Sequence, residues 1–316
     1  MSDILLSPQV GINIFVESIL FMLLFVTFFH AIVILKNYRH GVTTEYQYQL
    51  QNRSYLLITV ISFALVVKIL LLIFFTYTLD ELSNIVPGAM CAAGVIKTNI
   101  YGNFVLILKL IIIMLIFLWL NLNKEDQLSK NHLFFKQKFY FFILIFVFIA
   151  IEFVLEILFF TNISTQSPVL CCSSIYKAAQ NTTPMILHLS ATQLITLFYL
   201  VYLMILTFCY LKKRVLLFIS SLVYLYISYY AIVYFFGTYI YELPTHKCPF
   251  CMLQSDYHYI GYLIFGSLFI ATYYALCSAV YNFSAKFDKT VFYYTVFVIV
   301  TSFHFISYIL KNGVLL

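Results

Sequence analysis

Hydrophobic residues make up 63% of the 316 positions and charged residues 9%, against roughly 45–50% and ~25% in soluble domains. A water-soluble fold of this length has no way to bury that much apolar surface, so the composition excludes one and implies a lipid bilayer as the surrounding solvent. The formal net charge of +6 is spread through short loops without a basic tail or a block of like charges, which argues against a nucleic-acid partner.

No cleavable leader is expected, because Met1 to Val10 lacks a basic stretch and carries Asp3. The first apolar run is also longer than the ~7–15 residues of a signal core. Eight runs of membrane-spanning length follow in chain order, at about 11–35, 54–78, 101–122, 139–160, 185–211, 215–241, 260–283 and 291–310. Several are rich in Phe, Tyr and β-branched residues, a strand signal in water. In lipid an open sheet edge leaves backbone groups unsatisfied, so runs of this length predict helices. The expected fold class is an all-α integral membrane protein, one multi-pass domain over 1–316.

Lys36, Arg39 and Arg53 follow the first run, and Lys124, Lys130, Lys136 and Lys138 follow the third. Lys212, Lys213 and Arg214 follow the fifth, and Lys286 and Lys289 the seventh. Only Lys97, Lys177, Lys247 and Lys311 lie on the opposite side. The excess marks the first set as cytoplasmic, with both termini outside a cytoplasmic (inner) membrane. Neither G-x-x-x-x-G-K-[ST] nor G-x-G-x-x-G occurs, so no nucleotide-binding loop is expected. Internal repeats of the kind seen in many transporters are not evident.

Of seven cysteines, Cys209 and Cys277 fall inside apolar runs and read as small core residues. Cys91, Cys171, Cys172, Cys248 and Cys251 all fall in loops expected on the outer, oxidising side, where cysteines become disulfides, redox-active thiols or metal ligands. The sharpest local feature is His246-Lys247-Cys248-Pro249-Phe250-Cys251, just before the seventh run. A C-x-x-C opening that helix would have its thiolate stabilised by the helix dipole and by Lys247.

The stretch Cys248-Pro249-Phe250-Cys251-Met252-Leu253-Gln254, leading into an apolar helix, resembles the first periplasmic C-x-x-C of membrane thiol oxidoreductases of the DsbB type. More loosely it is similar to vitamin K epoxide reductase relatives. The resemblance covers about ten residues. It implies a dithiol beside a bound quinone, passing electrons from an extracytoplasmic thiol protein to that quinone. Cys171, Cys172 and Cys91 would then act as shuttle or resolving thiols. Two departures stand out: Ser255 occupies the place of an expected arginine, and only one run follows the one that the dithiol opens.

Two other readings of the cysteines stand beside exchange chemistry. Five outer cysteines allow at most two disulfides, and plain clasps between helices would use them, although a Cys171–Cys172 bond would be strained. Alternatively Met90, Cys91, His246, Cys248, Cys251 and Met252 offer thiolates, thioethers and an imidazole to copper or zinc. A heptahelical receptor would also pair Cys91 with Cys171 or Cys172 and glycosylate Asn162-Ile163-Ser164 and Asn181-Thr182-Thr183. That class is opposed by the missing Asp-Arg-Tyr-like and Asn-Pro-x-x-Tyr-like motifs and by the eighth run. A transporter stays open because of charges inside the spans.

Those charges are Glu17, Lys68, Lys109, Glu152, Glu156 and His188. Each costs ~2.5–3.5 kcal/mol at the bilayer centre unless it finds a partner or a cavity. Glu152 and Glu156 lie four apart on one helix face. Lys109–Glu156 and Lys68–Glu152 are the expected ion pairs. Functionally, Lys68, Lys109, Glu152 and Glu156 would form a polar pocket or proton path for a quinone. Structurally, they would fix helix register. His30 and His304 sit at unmatched depths, so haem is not expected. The Tyr224, Tyr226, Tyr229 and Tyr230 cluster reads as lipid contact and interfacial belt rather than a ligand pocket.

Overall fold

A computed structural model describes residues 3–38, 44–128, 134–165, 169, 189–244, 246–281 and 285–313. Among them there is no strand, and eight helices are long and apolar enough to cross a membrane. They lie where the apolar runs predict them. The chain divides into two compact units, residues 1–172 and 173–316.

The first unit opens with a 3-10 turn, Asp3–Leu6, and α1, Pro8–Asn37. Pro8 sits at a helix start, where its missing N–H costs nothing. α2, Glu45–Ser83, begins at Thr44, whose side chain accepts from Gln47 N at 3.4 Å. A short helix α3, Ala92–Ile96, leads into α4, Ile100–Leu128, and α5, Phe135–Thr161, closes the unit. α1 packs between α2 and α5, and α4 packs along α5. Leu24, Ala31, Ile61, Leu65, Ile116, Trp119, Phe142 and Ile145 form its dry core. Phe15, Met22, Phe29, Phe63 and Ile73 face outward and exposed, a surface that only acyl chains cover without cost.

The α4–α5 hairpin is closed by a buried pair. Lys138 Nζ donates to Asp126 Oδ2 at 2.6 Å, Phe134 N to Asp126 Oδ1 at 2.9 Å, and Trp119 Nε1 to Lys138 O at 2.8 Å. Lys138, read from sequence as a loop charge, is therefore a structural residue inside α5.

The second unit contains α6, Ala191–Tyr210, which begins in a capping box: Ser190 Oγ accepts from Gln193 N while Gln193 Oε1 accepts from Ser190 N. α7, Arg214–Ala231, runs through a π-helical turn at Ile232–Phe236 into α8, Gly237–Tyr241. α9, Ile260–Tyr281, and α10, Ala285–Asn312, complete the unit. Phe198, Tyr224, Phe236, Ala271, Tyr294 and Phe297 fill its core. These four spans are less apolar than the first four. Hydroxyl pairs tie α6 to α10, with Tyr199–Ser302 at 2.8 Å and Tyr202–Thr295 at 2.9 Å. In lipid, such hydrogen bonds supply an association that hydrophobicity does not.

Gly102 shows how closely the first unit is packed. Asn99 Oδ1 accepts from Gly102 N at 3.2 Å, and Asn99 Nδ2 donates to Phe159 O at 3.0 Å, so one side chain caps α4 and ties it to α5. A Cβ on Gly102 would meet Ile96 O at 2.1 Å and Phe159 Cε2 at 2.8 Å. Gly102→Ala is expected to destabilise the protein by ~1–3 kcal/mol, the usual cost of overpacking. Gly266→Ala, with open space around it, should leave the unfolding midpoint of the purified protein unchanged or slightly raised.

Candidate functional site

α8 ends at Glu242, whose φ of 53° is left-handed. His246–Cys248 have no regular structure, and the chain turns at Pro249–Phe250. Two 3-10 turns follow, Cys251–Leu253 and Ser255–Tyr257. His258 and Tyr259 are both left-handed, at φ 54° and 56°, and only then does α9 begin. The C-x-x-C therefore does not open the seventh span. Two consecutive left-handed residues, a costly conformation for side chains other than glycine, break the helix between Cys251 and Ile260. The dithiol is thus not part of the first turn of α9, the position in which the sequence placed it under the helix dipole. Lys247 places its ammonium 5.2 Å from the centre of the Tyr234 ring, a cation–π contact.

The dithiol turn is instead pinned to the bundle by packing. Met252 is fully buried, and a Cβ on Gly261 would lie 2.9 Å from Met252 Cβ, one on Gly237 3.1 Å from Met252 Cε. Only the missing side chains of those glycines let the turn sit this close to α8 and α9. The Tyr241 hydroxyl donates to the Cys248 carbonyl. The Tyr241 ring meets His246 edge-on at 4.3 Å and Tyr257 at 4.7 Å. Cys251 is buried and Cys248 half-buried. His246 is buried with no partner for Nε2, and burial holds its imidazole below the usual histidine range.

The described cysteines, Cys91, Cys209, Cys248, Cys251 and Cys277, are thiols. Cys91 precedes α3, buried, in the first unit. Cys171, Cys172, His188 and the Asn181-Thr182-Thr183 sequon lie outside the described residues. Among the described residues, the one group of three possible metal-ligand atoms within 4.8 Å of one another is Glu17, Glu152 and Glu156. His246, Cys248 and Cys251 are not gathered in that way.

The intramembrane charges of the first unit converge from four helices. Lys68 Nζ on α2 lies 2.5 Å from Glu17 Oε2 on α1 and 2.6 Å from Glu152 Oε2 on α5. Lys109 Nζ on α4 lies 3.3 Å from Glu17 Oε1 and 2.9 Å from Glu156 Oε2, and contacts Glu152 Oε1. Asn13 Nδ2 donates to Glu156 Oε1 at 2.5 Å. The Lys109 ammonium also sits 4.5 Å from the centre of the Phe75 ring. All six side chains that carry polar atoms here are buried.

Both ion pairs expected from the sequence are formed, and Glu17 and Glu152 each bridge the two lysines. Asn13 was not foreseen. The usable signal was spacing: Asn13 and Glu17 are four apart on α1, as Glu152 and Glu156 are on α5, so each pair shares a helix face. The two ammonium groups occupy the positions a cation would take among the carboxylates. A pocket lined by Lys68, Leu72, Lys109, Ile112 and Ile113 reaches the cluster and has room for about one water.

Breaking a buried charge network leaves an uncompensated charge, at ~3–5 kcal/mol. Lys109→Met, which strips three carboxylates, is expected to lower the unfolding midpoint of protein in lipid nanodiscs more than Lys68→Met, which strips two. His246 gives a second expectation. Above about pH 6.5 its imidazole is neutral folded and unfolded. Below that pH the unfolded chain takes up a proton that the folded chain resists, so stability falls as pH drops. His246→Asn should flatten this acid limb in unfolding midpoints measured between about pH 7 and 5.

Comparison with protein-family models, curated proteins and solved structures finds no match for this chain.

Proposed function

We propose that this chain is a membrane-embedded thiol–disulfide exchange protein whose reactive pair is Cys248 and Cys251. The observation that carries the reading is the graded exposure of two thiols three positions apart on a turn locked by Met252 and Tyr241. Exchange needs one sulfur that a partner can reach and a second, sheltered sulfur that leaves and returns within the same turn. Cys248 fits the first role and Cys251 the second.

With the pair oxidised, a partner thiolate attacks the Cys248 sulfur and the Cys251 thiolate leaves, taking a proton. The partner's second thiolate then attacks its own sulfur in the mixed disulfide and releases Cys248. A partner dithiol becomes a disulfide and Cys248–Cys251 becomes a dithiol, with two electrons and two protons transferred. A membrane quinone is the acceptor class that restores the pair: dithiol plus quinone gives disulfide plus quinol. The lysine and arginine distribution supports an extracytoplasmic dithiol in a cytoplasmic membrane, the compartment in which such chemistry operates.

The Cys251→Ser variant should accumulate a mixed disulfide through Cys248, visible as a reducible shift on non-reducing gels, and Cys248→Ser should accumulate much less. Equal trapping by both variants, or by neither, contradicts the reading. Stoichiometric copper or zinc in the purified protein that is lost in Cys248→Ser would point to soft-metal handling instead. A loss of stability alone would leave these cysteines as structural groups.

A further inference from the structure

The five buried charges of the first unit do not balance. Glu17, Glu152 and Glu156 bring three negative charges, and Lys68 and Lys109 bring two positive ones. A net charge inside a low-dielectric bundle is costly, and the usual remedy is neutralisation by a proton. We propose that this cluster is a proton-binding site and that Glu156 is the residue that takes up and releases the proton.

The partners distinguish the three carboxylates. Glu17 and Glu152 each touch both lysines, one through each oxygen. Glu156 touches only Lys109, through Oε2, and its Oε1 meets the neutral amide of Asn13. It receives the least positive charge of the three while sharing a helix face with Glu152. Lys109 is shared among all three carboxylates, so its charge does not compensate Glu156 alone.

Asn13 is the second observation. Its side chain is fully buried, and its Oδ1 has no hydrogen-bond partner. An amide can serve both states of the carboxyl. Its N–H₂ donates to the ionised form, and after rotation its oxygen accepts from the protonated form. A spare acceptor beside Glu156 gains a donor when Glu156 carries a proton. Titration in either direction would be felt by Asn13 and Glu17 on α1, Lys68 on α2, Lys109 on α4 and Glu152 on α5, the polar groups that surround it. The pocket beside Lys68 and Lys109 has room for about one water next to the cluster. This assignment does not rest on the dithiol reading.

Infrared difference spectroscopy of the full-length protein in lipid, scanned in pH, tests it through the C=O stretch of a protonated carboxyl. The wild-type protein should show one such buried band at neutral pH, shifted by deuterium exchange and lost in Glu156→Gln, which keeps the shape of the protonated form. In Glu17→Gln one negative neighbour is gone, so the Glu156 band should persist but titrate at lower pH. A wild-type protein with no such band near neutral pH, or a band that survives Glu156→Gln, overturns the proposal. So does a sodium-dependent rise in thermal stability without the band, which would make the bound cation a metal ion.

Discussion

A charge buried in lipid must be matched, and that requirement organises the first unit. Lys68 and Lys109 reach carboxylates on two other helices, so α1, α2, α4 and α5 share one electrostatic centre. Acyl chains are as apolar as leucine, so burying leucine between helices gains little. Misplacing any of the four helices, by contrast, strands a charge. The cluster thus fixes helix rotation and register, which the apolar residues around it specify only weakly. The Asp126–Lys138 pair does the same for the α4–α5 hairpin.

The second unit solves the problem with neutral groups. Tyrosine hydroxyls meet threonine and serine across α6 and α10, and the aromatic rings fill the core. The π turn at Ile232–Phe236 changes the phase of the sixth span just before α8. Its end presents Gly237 and Tyr241 to the dithiol turn. Such π turns recur at functional sites in helices. The described irregular backbone after α8, residues 242–244 and 246–259, lies outside the long helices, where backbone groups need not be satisfied by a regular ladder.

The spans were legible because lipid leaves one solution to a twenty-residue apolar run. Their ends were less so. α2 extends from Glu45 to Ser83, well past its apolar core, because beyond the hydrocarbon layer a polar sequence can stay helical without any apolar signal. The pairings Lys109–Glu156 and Lys68–Glu152 follow from depth alone, but the entry of Glu17 as a second carboxylate touching both lysines depends on the rotation of α1, which has no sequence signature. The position of the dithiol was misjudged for a local reason. His258 and Tyr259 adopt left-handed backbone; tyrosine rarely does and histidine does so only as a minority conformation, so the stretch before α9 reads as the start of the helix.

A double-mutant cycle on Lys68 and Glu152 tests the electrostatic centre most directly, with unfolding midpoints read for Lys68→Met, Glu152→Gln and the pair together in lipid nanodiscs. If the two groups are each other's compensation, the double variant should lose much less than the sum of the single losses, because each single change strands the other's charge. Strictly additive losses would mean that the two side chains do not depend on one another, and the account of the first unit would fail.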